Sequence, residues 1–88
     1  MTRDVWLIAD RDGIQEFALV PPGQGFVNWK DPVVWWVSAD KRANCCLDSG
    51  PLAAMSGSCV HARRIRRLGL AGKLPTTLVD KNTLKPMG

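Results

Sequence analysis

The chain has 88 residues, of which 45% are apolar, a formal net charge of +4 and three cysteines. That length makes one domain and leaves too little interior for a core, a cofactor pocket and a separate catalytic cleft. No stretch approaches the roughly 18 apolar residues of a membrane helix. The short run Val5–Ala9, stopped by Asp10, does not make a secretory leader, and an odd cysteine count suits free thiols, so the expectation is a cytoplasmic protein.

In chain order, Val5–Ala9 and Ile14–Val20 flank Asp12-Gly13. Asp-Gly between apolar runs signals a hairpin, because a type I′ turn needs positive φ at both central residues. A two-residue loop pairs Arg11 with Ile14. Carried along the strands, that register sets Ile8 opposite Phe17 and Trp6 opposite Leu19 on one face, and Leu7 opposite Ala18 and Val5 opposite Val20 on the other. Pro21-Pro22-Gly23-Gln24-Gly25 breaks the strand, and Phe26–Trp29 reads as a short strand. Val33–Ser38, β-branched and aromatic, reads as a central strand. Asp40–Asn44 reads as a polar turn and Cys45–Leu47 as a short return strand.

Asp48–Pro51 ends the sheet region, and Leu52–Met55 has the pattern of one helical turn with Pro51 in its first turn. Ser58 is placed to N-cap a helix over Cys59–Leu68, with Gly69 as its C′ residue, and Pro75 prevents a restart. Thr76–Val79 reads as a last strand and residues 81–88 as a flexible tail. The expected fold is therefore a single α+β domain over residues 1–88. Its sheet is small, mainly antiparallel and of three or four strands, with the 59–68 helix packed on one face.

Charge is segregated along this layout. Residues 1–58 hold five basic and seven acidic side chains, whereas residues 59–88 hold seven basic and one acidic. Four of the basic residues are Arg63, Arg64, Arg66 and Arg67. With Arg63 at zero on a helical wheel, the other three fall at about 100°, about 300° and about 40°, while His61, Ala62, Ile65 and Leu68 fall between about 140° and about 260°. The arginines thus share one face and the apolar residues the other. Guanidinium is always charged and its planar fork matches phosphate or carboxylate, so this face, with Lys73 beyond it, reads as a surface for a polyanion. The plainer account is a solvated helix back whose cations are neutralised by acids from the sheet half. No zinc-finger spacing, RNA-binding aromatic run or helix-turn-helix surrounds the arginines.

Trp35 and Trp36, adjacent on one strand, point to opposite faces, so one of this pair, or Trp29, is expected to be partly exposed on a sheet face that the helix does not cover. Filling the core is the plainer role for both. Cys45, Cys46, Cys59 and His61 supply four zinc-type ligands, but without a Cys-x-x-Cys pair and with neighbours that point apart, so no metal is expected. A Cys-His nucleophilic pair has one histidine to draw on and no signature around it, so no catalytic residue is assigned. The glycine-rich 21–25 stretch precedes extended chain rather than a helix, unlike phosphate-cradling loops.

The expected function is that of a small non-catalytic regulatory or accessory binding protein. It would engage nucleic acid or an acidic protein surface through Arg63, Arg64, Arg66, Arg67 and Lys73, with no cofactor and no membrane. One alternative is a protein-directed inhibitor or adaptor, of the size phages and mobile elements encode, gripping its target through a sheet face or edge bearing Trp35 or Trp36. A zinc-stabilised module is another.

Overall fold

The structure is a computed structural model that describes residues 3–23, 25, 31–45, 60–80, 82–83 and 85–86. Among the described residues, four strands, β1 (Asp4–Arg11), β2 (Ile14–Val20), β3 (Val33–Val37) and β4 (Arg42–Cys45), are followed by one helix, α1 (Val60–Leu70). The strands form an antiparallel meander in the order β1-β2-β3-β4, and α1 lies across β3 and β4. This is a small α+β fold, as the sequence pattern predicts. The expected strand at Phe26–Trp29, the turn at Leu52–Met55, the cap at Ser58 and residues Cys46, Leu47 and Cys59 lie outside the described residues.

The first hairpin closes as expected. Asp12 has φ 55° and Gly13 φ 77°, the two positive values of a type I′ turn, and Arg11 pairs with Ile14. The register beyond the turn differs from the expectation. Pairing runs Arg11–Ile14, Asp10–Gln15 and Ala9–Glu16, then shifts to Leu7–Phe17, Trp6–Ala18, Val5–Leu19 and Asp4–Val20. Ile8 is the extra residue of a β-bulge. An unbroken ladder would turn Leu7 and Val5 away from Phe17 and Leu19; one inserted residue brings all four to the inner face. It also sets the large Trp6 ring beside small Ala18 on the outer face.

The inner face carries the core. Leu7, Phe17, Leu19, Val34, Trp36 and Cys45 from the sheet meet Ala62 and Ile65 from α1, with Val5, Ala43, Leu74 and Leu78 packed at the margin. The return strand starts at Arg42, earlier than expected, because Ser38–Lys41 suffice for the turn. Lys41 takes the left-handed conformation there, with φ 53°, and its N–H bonds the Ser38 carbonyl at 3.4 Å.

The helix end also differs from the expectation. Gly69 is not the C′ residue; α1 continues to Leu70, and Gly72 takes that role with φ 69°. The Lys73 N–H bonds the Leu68 carbonyl at 2.9 Å and the Gly72 N–H bonds the Gly69 carbonyl at 3.2 Å, the paired bonds of a Schellman motif. Gly69 answers a different need. The Trp36 indole lies so close that a Cβ on residue 69 would sit 2.5 Å from one ring carbon.

Past the helix, Leu78 pairs in parallel with Leu7 as an isolated bridge, and the Val79 N–H donates to the Leu7 carbonyl at 2.9 Å. The expected last strand is thus reduced to this contact on the outer edge of β1. Beyond it the chain turns back, with Asp80 N–H bonded to the Lys85 carbonyl and Val79 paired with Pro86. No helix among the described residues is long and apolar enough to cross a membrane.

Two glycine substitutions separate these roles. Gly69→Ala forces the indole and the helix apart and is expected to destabilise the domain by about 1–3 kcal/mol, the usual range for overpacking. Gly72→Ala meets no atom within 4 Å and is expected to cost about 1 kcal/mol, through its left-handed φ alone. Urea melts followed by tryptophan fluorescence read both. A neutral Gly69→Ala would place Trp36 elsewhere.

Candidate anionic-partner interface

Helix α1 presents its residues much as the wheel predicts. Ala62 and Ile65 are buried against the sheet, His61, Leu68 and Gly69 are half-buried, and Arg63, Arg66 and Arg67 are exposed. With Leu70 and Ala71 these three arginines line an open, shallow depression of about 590 Å3.

Arg64 is not part of this free surface. It is half-buried at the helix flank, and one Nη donates to the Arg3 carbonyl at 2.6 Å. Arg3 in turn donates to the Leu19 carbonyl at 3.2 Å and to the buried Asp31 carboxylate at 3.0 Å. Arg64 therefore belongs to a chain of contacts that ties α1 to the start of β1 and the end of β2. Arg66 is partly committed, since its Nε donates to the Lys41 carbonyl at 3.2 Å while the residue stays exposed. Lys73, exposed, follows the Schellman turn at the end of the ridge.

Among the described residues the one ion pair is Arg3–Asp31, and no carboxylate pairs with Arg63, Arg64, Arg66 or Arg67. Exposed Lys41, brought to the ridge by its bond to Arg66, adds cationic charge. Nothing in the chain's linear pattern linked Lys41 to the helix. Leu70 was missed for another reason: ending the helix at Leu68 left it off the wheel, although the i, i+7 spacing from Arg63 puts it on the same stripe.

The two tryptophans separate as alternation requires. Trp36 is 4% exposed in the core, so it has no surface to offer a partner while packed there. Trp35 lies half-buried on the outer face, where its Nε1–H donates to Glu16 Oε1 at 2.7 Å across the β2–β3 pair. Trp35, Glu16, Ala9, Arg11, Asp12 and Ile14 enclose a depression of about 210 Å3. The outer face is only partly bare: Ala18 and Val20 are buried, whereas Ile14 is exposed. Trp6, on the same face, has a buried Nε1–H with no hydrogen-bond partner among the described residues.

Of the zinc-type residues, Cys45 points into the core opposite Val34 and His61 is half-buried on α1. No group of three or more metal-ligating side chains occurs among the described residues. No family model, curated protein or solved structure matches the chain.

The arginines divide into structural and free members, and stability measurements separate them. Arg64→Gln is expected to cost about 1–2 kcal/mol, since it removes a charge-assisted hydrogen bond to a partly buried carbonyl. Arg63→Gln and Arg67→Gln are expected to stay within about 0.5 kcal/mol of the parent. Equal effects in urea denaturation would contradict this division.

Proposed function

We propose that this is a small non-catalytic binding protein, regulatory or accessory in role, whose arginine ridge engages a polyanionic partner. The observation that carries the reading is the set of three exposed guanidiniums, Arg63, Arg66 and Arg67, on one helix face with no carboxylate paired to them among the described residues. Cations held close together without internal neutralisation create a local positive potential, and a multivalent anion gains more from it than from the same charges scattered. Arg64 serves this surface indirectly, by fixing the helix against β1. Lys41 and Lys73 extend the charge.

A second reading has an observation of its own. Exposed Ile14 adjoins Trp35 in the outer-face depression, a combination suited to gripping a protein through its apolar side chains. In that case Trp35→Ala would weaken partner binding, and loss of the ridge arginines would not.

Elution from a sulfated-polysaccharide resin tests the first reading, provided net charge is controlled. The triple variant Arg63/Arg66/Arg67→Gln is compared with Arg11/Arg42/Lys85→Gln, which removes the same charge from exposed positions off the ridge. Both are expected to remain folded. The ridge variant is expected to elute at clearly lower salt than the control. Equal elution of the two would mean that retention follows net charge and that the ridge is not a binding surface.

A further inference from the structure

We infer that the arginine ridge is built for an acidic, amphipathic protein segment, one that brings apolar side chains together with its carboxylates, rather than for a nucleic acid. This rests on the polyanion reading of the ridge and narrows it. Three large apolar side chains are exposed among the described residues: Ile14 at 40%, Val60 at 72% and Leu70 at 50%. Two of the three stand on the arginine face. Val60 precedes Arg63 by one helical turn and Arg67 by two, and Leu70 follows Arg66 by one turn and Arg63 by two, so the apolar and cationic side chains interleave along a single stripe.

Leu70 and Ala71 also line the depression that the three arginines rim. The surface is therefore mixed, apolar patches set among guanidiniums. A phosphate backbone satisfies the guanidiniums but leaves Leu70 and Val60 against charged, hydrated oxygens. Among the described residues, no aromatic ring lines this depression for unpaired bases to stack on. A segment carrying Glu or Asp beside Leu or Phe meets both demands. Its carboxylates accept the planar forks of arginine, and its apolar face covers Leu70 and Val60. Arginine beside apolar surface is also the composition of protein interface centres.

Two probes decide between the partners at one near-physiological salt concentration. One is a fluorescent peptide of about 18 residues with Glu on one helical face and Leu at i, i+3, i+4 and i+7. The other is a mixed-sequence DNA duplex of about 20 base pairs. The parent protein is expected to bind the peptide more tightly than the duplex. Leu70→Ser is expected to weaken peptide binding by about five- to tenfold and leave duplex binding within about twofold. Val60→Ser, at a more exposed position, should act in the same direction and carries the comparison if Leu70→Ser proves unstable in a thermal melt. Arg63/Arg67→Gln should weaken both probes.

Tighter binding of the duplex, or an equal response of both probes to the Leu70 and Val60 variants, would overturn the inference and leave the ridge a general polyanion surface. Absence of binding to either probe would remove the polyanion reading itself, and the inference with it.

Discussion

The helix meets the sheet through a contact that admits no side chain. The Trp36 indole occupies the space that a Cβ on residue 69 would need, so glycine there is a steric condition for the present packing. Ala62, Ile65 and Gly69 form one stripe of α1, with the bulky residue between two small ones. That profile sets both the separation of helix and sheet and the rotation of the helix about its axis. Once the rotation is fixed, Arg63, Arg66 and Arg67 have nowhere to point but outward. The character of the exposed face is thus decided on the buried one.

A second set of contacts holds this arrangement from the flank. Arg64 reaches the Arg3 carbonyl, Arg3 reaches Leu19 and Asp31, and Arg66 reaches the Lys41 carbonyl. Asp31 is almost fully buried, and a charge in that position is tolerated only when paired and hydrogen-bonded. The arginines of α1 therefore serve two ends with one chemistry. Members at the helix edge satisfy backbone carbonyls of the sheet half, and members at its crest keep their donors for solvent or a partner. Lysine has the charge but lacks the planar array of donors that lets one side chain bond a carbonyl sideways while remaining exposed.

Much of the fold was readable because its signals are local. Asp12-Gly13 specifies its turn through backbone conformation, and Val33–Val37 announces a strand through residue type. What escaped reading came from competition between signals. The turn sets one register and the apolar pattern of β1 another, and only a bulge at Ile8 accommodates both. Gly69 and Gly72 are each plausible helix terminators in sequence. Gly72 is the one that takes the left-handed φ, while Gly69 is required by Trp36, a tertiary contact absent from the local pattern. The arginine face was legible from the wheel, but the burial of Arg64 was not, since its partner is the distant Arg3 carbonyl. Alternation alone puts Trp35 and Trp36 on opposite faces; which of them meets the helix depends on the side of the sheet on which α1 lies, and that is Trp36.

The pairing of Leu7 with Leu78 has a bearing on how the chain folds. The meander needs only neighbouring hairpins, and a short turn loses little loop entropy on closing. The Leu7–Leu78 bridge instead joins residues separated by almost the whole chain, and the Val79 N–H completes it on the same carbonyl-bearing edge. Non-local contacts of this kind offset their entropy only after the intervening structure is in place. The 74–79 segment is therefore the natural last arrival, sealing Leu7 and the margin of the core after hairpins and helix have assembled. Loss of the same segment would bare one edge of the sheet while leaving the arginine-bearing helix seated on β3 and β4.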